Sequence, residues 1–236
     1  MKILLIIAVL IWSINPQQQS SPATRDASKL VNEFKSETVF WKQFEIGKQI
    51  ISLRDPAVLA DLTDLLSVED RHIRGNVAFI FASMGDQRGF EVITAILGDY
   101  SDRAITQGIP GGNPTLRAQI RSDRYYAAHL LGDLKDPRGA PILIALLHDT
   151  DVNWIVPWSL GEIGDHRADE ALILTLSDPD PSMRVLAILA LQKMGAKTAL
   201  PRLRELESDQ ERSNFGDLIT VAAAAKAAIA KLESNR

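Results

Sequence analysis

Cysteine is absent from the 236 residues, which excludes a disulfide scaffold, a thiol nucleophile and thiolate metal ligands. Aromatic residues make up only 6% of the chain, and no charge sign dominates: 26 Lys and Arg stand against 30 Asp and Glu, a net charge of -4. That balance carries no electrostatic footprint for nucleic acid or an anionic membrane surface. Four histidines, His72, His129, His148 and His166, are scattered without a second ligand at metal-binding spacing. No serine stands in a nucleophile elbow, and residues 108–114 are glycine-rich but lack the Lys-Ser or Lys-Thr of a phosphate loop. The residues therefore point to no catalytic group, cofactor or metal, and to a protein that is not an enzyme.

Long apolar runs are scarce as well. One covers residues 3–12 after Met1 and Lys2 and is ended by Ser13, Asn15 and Pro16. It is shorter than the roughly 20 residues a membrane span needs and has the form of a secretory signal cut near Ala23. The expectation is an exported protein, periplasmic or secreted, touching the membrane only if this segment stays uncleaved. Residues 24–41 then form an N-terminal segment ahead of a domain over 42–236.

That domain is repetitive. Four fourteen-residue segments align without gaps, beginning at Ile73, Asp123, Val152 and Met183. Their fifth, ninth and twelfth places hold Val77, Phe81 and Met84, then Ala127, Leu131 and Leu134, then Val156, Leu160 and Ile163, then Ala187, Leu191 and Met194. Spacings of four and three are the helical period, so each segment reads as one amphipathic helix. A short turn and a second apolar helix follow, and the twelfth places recur at intervals of 31, 50, 29 and 31 residues counted from Leu53. The unit is a helical hairpin of about 30 residues, and the long interval marks an insertion over 100–119. One hairpin cannot bury its apolar face alone, so neighbours must stack. The fold class is all-α, a right-handed solenoid of about five to six hairpins.

The segments resemble the HEAT-like repeats named after the phycobilisome lyases, whose pattern is Val-Arg-x-x-Ala-Ala-x-Ala-Leu-Gly-x-Ile-Gly-Asp. Arg74, Arg124 and Arg184 fall at its second place, Gly85, Gly164 and Gly195 at its thirteenth, and Asp86, Asp136 and Asp165 at its fourteenth. Glycine can end the helix in the left-handed region and aspartate can cap the next one; Asp86, Asp136 and Asp165 with Arg88, Arg138 and Arg167 read as caps and inter-unit ion pairs. HEAT-like hydroxylases that bind iron carry repeated His-Glu pairs, and this chain has none.

The third and seventh places point away from the apolar stripe, yet here they are Gly75 and Phe79, Tyr125 and His129, Trp154 and Trp158, Val185 and Leu189. Stacked helices bring such positions side by side, and exposed apolar patches mark contact sites. Phe79, Tyr125, His129, Trp154 and Trp158 are therefore the candidate partner-binding residues, with Tyr126 and Ile155 widening the stripe. Pro157, between the tryptophans, is expected to kink the helix. The competing expectation is that the insertion or residues 24–41 cover the stripe and make it core. The leading functional expectation is an exported, non-enzymatic scaffold binding a protein or peptide. Its alternative is a lyase-like or chaperone-like binder of an apolar ligand such as a bilin, disfavoured by the export signal because the lyases of the resemblance work in the cytosol. An accessory subunit of an envelope complex is the third.

Overall fold

A computed structural model describes residues 27–101, 116–214 and 219–234. The apolar segment read above as a secretory signal and most of the 100–119 insertion lie outside the described residues. The named elements are helices: α1 (Ala27–Ser36), α2 (Phe40–Leu53), α3 (Val58–Leu62), α4 (Arg71–Ser83), α5 (Gln87–Leu97), α6 (Leu116–Leu134), α7 (Gly139–Ile144), α8 (Val156–Ile163), α9 (Asp169–Thr175), α10 (Pro181–Met194), α11 (Leu200–Glu205) and α12 (Val221–Ser234). The longer members α2, α4, α6, α8, α10 and α12 pack side by side in chain order, and each of α3, α5, α7, α9 and α11 follows its own partner through a tight turn. This is the all-α solenoid of stacked hairpins that the repeats imply. One core runs from Phe44 to Leu232, and a smaller one joins α1, α2 and α3 to the other side of α4 through Phe34, Ile50, Leu62, Ile80 and Phe81.

The repeat places acquire physical roles. Gly85, Gly164 and Gly195 sit at φ of 85°, 71° and 73°, the left-handed region that closes a helix at no steric cost for glycine. Arg54 and Lys135 occupy the equivalent place at φ 54° without being glycine. The arginines of the second place join units. Arg124, almost wholly buried, donates to the Leu97 carbonyl at 2.7 Å and to Asp149 at 2.6 Å, with its guanidinium over the Tyr100 ring. Arg184 donates to the Asp178 carbonyl and pairs with Asp209 and Glu211.

The third unit departs from this plan. Its second place is Asn153, whose buried Oδ1 accepts no hydrogen bond, and the backbone of 151–155 forms turns before α8 begins at Val156. The segment from Val152 is thus not one uninterrupted helix. Pro157 does not kink α8, because it lies in the first turn, where a missing N–H costs nothing.

Candidate functional site

The face in question is built on α6, which presents Tyr126, His129 and Asp133 at helical spacing. Close contact with α8 comes from a small residue: a Cβ on Gly132 would lie 2.8 Å from the Ser159 Cα, and the Ser159 hydroxyl donates to the Ala128 carbonyl at 2.9 Å. The two backbones approach there, which sets the His129 ring 4.6 Å from the Trp158 ring.

On the other side α2 reaches over the same face. Phe40 lies 4.6 Å from His72 and 5.2 Å from Tyr126, and Phe44 lies 5.0 Å from Phe79. The result is a continuous run of rings, Trp41, Phe40, His72, Tyr126, His129 and Trp158, across α2, α4, α6 and α8. A chain of amides locks α2 in place. Gln43 donates to the Phe34 carbonyl, the Asn76 amide donates to the Phe40 carbonyl at 2.9 Å and to Gln43 Oε1 at 2.8 Å, and the Tyr126 hydroxyl donates to Asn76 Oδ1 at 2.5 Å.

Of the five residues singled out from sequence, Phe79 is core, under Phe44, and its burial is worth about 2 kcal/mol. Tyr125, His129, Trp154 and Trp158 are half-buried, and His129 and Trp158 are the pair brought into ring contact. Trp154 lies in the turn before α8 and not on a common helical face with Trp158. Gly75 and Val185 are buried, whereas Leu189 stays 45% exposed. The open stripe is therefore narrower than the repeat pattern implies. Residues 40–44 of α2 cover its α4 end, and the α6–α8–α10 portion remains at the surface.

The electrostatics of that portion differ from the rest of the chain. His129 Nε2 is 3.7 Å from Asp133 Oδ2, while its Nδ1 is buried with no hydrogen-bond partner. Burial lowers the His129 imidazole below its ordinary value and raises the Asp133 carboxyl above its own. Burial also pushes Tyr125 up to about 12 and Tyr126 well above its ordinary value. Ion pairs flank the site: Glu45 with Lys48 on α2, and Glu162 on α8 with Lys135 and with Lys193 on α10. Among the described residues no group of three His, Asp or Glu is placed to hold a metal, and no helix is long and apolar enough to cross a membrane.

Sequence reasoning missed the Gln43–Asn76–Tyr126 chain and Asp133. The helical period marks Asn76 and Asp133 as outward polar positions, and only the packing of α2 and α8 against them makes the difference.

Hairpins stacked through second-place arginines and glycine-ended turns define a HEAT-like repeat protein. The family model of the PBS lyase HEAT-like repeat matches residues 123–149, the second segment and the helix after it. Two relatives, both bilin biosynthesis protein PecE, match over 141 residues, or 58% of this chain. That of Nostoc sp. (strain PCC 7120) is 33% identical over 51% of its own length, and that of Mastigocladus laminosus is 32% identical over 48%. The chain spans about half the length of the curated relatives it matches. Among solved structures, the complex of CpcE and CpcF of phycocyanin lyase from Nostoc sp. PCC7120 shares the fold, with a TM-score of 0.50 and 20% identity over 92% of this chain and 70% of that one.

These relatives correct the leading functional expectation. Proteins of bilin biosynthesis overturn the exported, secreted or periplasmic scaffold read from residues 3–12, and with it the expectation that the chain is not an enzyme. The lyase-like alternative is the one they favour.

Proposed function

We propose that the chain is a lyase-like protein of bilin metabolism that holds a linear tetrapyrrole along the ring run of α2, α6 and α8 and works together with a protein partner. The observation that carries this reading is the run itself in a chain that is 33% identical to a bilin biosynthesis protein over 141 residues. A bilin is a flat chain of conjugated rings with inward-facing pyrrole N–H donors and two carboxylate arms. Such a ligand wants apolar faces, a few placed polar groups and cations at its edge. Trp158, His129 and Tyr126 supply faces, and Lys48, Lys135 and Lys193 border them. Trp154 and Tyr125 stand at the margin of this surface, and Phe79 supports it from below.

For the partner, CpcE is found with CpcF in the structure that shares this fold, and a second subunit is the partner class proposed here. Leu189, exposed on α10 next to the site, and Leu174, exposed on α9, are apolar surface that such a subunit would cover.

The test is titration of the purified chain with biliverdin, alone and with a co-produced bilin-lyase subunit, followed by absorbance and tryptophan fluorescence. Saturable binding that quenches emission and shifts the long-wavelength pigment band is the expected result. An unchanged pigment spectrum under both conditions defeats the reading.

A further inference from the structure

We infer that Asp133 is the residue on which the pyrrole N–H groups of the ligand converge, with the His129 imidazole beside that carboxylate. The inference rests on the bilin reading above and deepens it.

Three observations lead to Asp133. First, the aspartates of the repeat turns are saturated. Asp86, Asp136 and Asp165 each accept from the backbone N–H and guanidinium of the arginine two residues on. The buried Asp123 is likewise matched by Arg71 and His72. Asp133 differs, since its partner is the imidazole of His129 at 3.7 Å, too long for a hydrogen bond. Second, His129 keeps a buried Nδ1 with no partner, on the imidazole whose Nε2 faces that carboxylate. A half-buried anion and an unsatisfied ring nitrogen together are costly to maintain unless something completes them. Third, the surroundings suit a dianionic ring chain. The titratable groups around the pair are Glu45 and Lys48 on α2, Tyr126 on α6, Lys135 just beyond it, Glu162 on α8 and Lys193 on α10. Lys48 pairs with Glu45 on one side and Lys135 and Lys193 with Glu162 on the other, and the Trp158 ring lies against His129. With helices packed 8–10 Å apart, the four intervals from α2 to α10 extend roughly 30–40 Å, room for several linked rings lying flat.

An N–H pair on an ionised carboxylate is a charge-assisted contact, worth roughly tenfold or more in affinity. The experiment is biliverdin titration of the full chain carrying Asp133→Asn, His129→Gln or Asp165→Asn, with circular dichroism to establish that each retains its helix. Asp133→Asn should weaken binding at least about tenfold and return the pigment band toward its free position, His129→Gln should do so to a lesser degree, and Asp165→Asn should do neither. A merely structural role for Asp133 would leave the band of the bound pigment where it was. Wild-type binding with an unchanged band and affinity in both Asp133→Asn and His129→Gln overturns the inference and leaves the bilin reading intact. Failure of the wild type to bind defeats both. Should Asp133→Asn lose helix, His129→Gln decides, because it tests the same contact from the neighbouring side chain.

Discussion

The turns between hairpin helices and the α6–α8 face use the same residue types to opposite ends. At the turns, Asp86, Asp136 and Asp165 are closed on themselves by an arginine fork and a backbone N–H, and Arg88, Arg138 and Arg167 stay exposed. Arg167 reaches the neighbouring unit through the Pro137 carbonyl and Arg138 through the Phe90 ring, but in each fork the carboxylate is closed by the arginine of its own turn, so the forks are caps first and inter-unit ties second. The work of tying units falls to the buried second-place arginines. On the α6–α8 face Asp133 and His129 are half-buried, the carboxylate has no arginine fork, and the His129 Nδ1 is buried without a partner. Where a charge is fully matched by its own repeat it serves the frame. Where it is half-buried without such a match, the frame gains little from it, and the ligand contact proposed above gives it a role.

The largest effect should come from breaking the frame. Arg124→Ala leaves Asp149 without its 2.6 Å partner and the Leu97 carbonyl without a donor. Removing one member of a buried ion pair costs about 3–5 kcal/mol, so thermal unfolding should move down by on the order of 10 °C. A loss under about 1 kcal/mol would place Arg124 with surface pairs and erase the distinction between frame and face.

Much of the frame was legible because each of its parts is local. The four-and-three spacing of Val77, Phe81 and Met84 requires a helix, and Gly85 followed by Asp86 requires a turn and a cap. The face was half-legible. His129 and Trp158 emerge from the seventh place of the repeat, but Phe79 belongs to the core because Phe44, some 35 residues earlier, packs on it. Trp154 leaves the face because the backbone of 151–155 forms turns and the helix begins only at Val156. Asp133 sits in Leu131-Gly132-Asp133-Leu134, where sequence alone suggests an ordinary solvated residue. Its burial depends on contacts made across helices, which no local pattern encodes.

A middle-sized effect separates the two turn types. Gly164→Ala should cost about 1 kcal/mol, because alanine is disfavoured in the left-handed region. Lys135→Gly should stabilise by about 0.5–1 kcal/mol by relieving the same strain, less whatever its exposed pair with Glu162 contributes. Denaturant midpoints of the two variants moving in opposite directions bear this out, and movement in the same direction refutes it.

The smallest effect is the most pointed, since it sets the two classes of aspartate against each other by pH. The Arg167 guanidinium holds Asp165 down at about 2, so its contribution to stability is present above the unfolded value near 3.9 and is lost as pH falls toward 2. Asp133 runs the other way. Burial raises its folded value, so its contribution favours the fold below the unfolded value and is lost as pH rises through the raised one. At pH 7, Asp133→Asn should therefore melt at the same temperature as the wild type or on the order of 2 °C higher, and Asp165→Asn should melt lower. Below pH 4 the advantage of Asp133→Asn should vanish, because the wild-type carboxyl is then protonated as well. His129 adds a limb of its own: burial lowers its imidazole, so its contribution is complete above about 6.5 and fades as pH falls through the lowered value, and His129→Gln should remove that limb. Stability that rises when Asp133 is neutralised, alongside loss of pigment binding in the same variant, is the signature of a residue retained for a ligand at the expense of the fold.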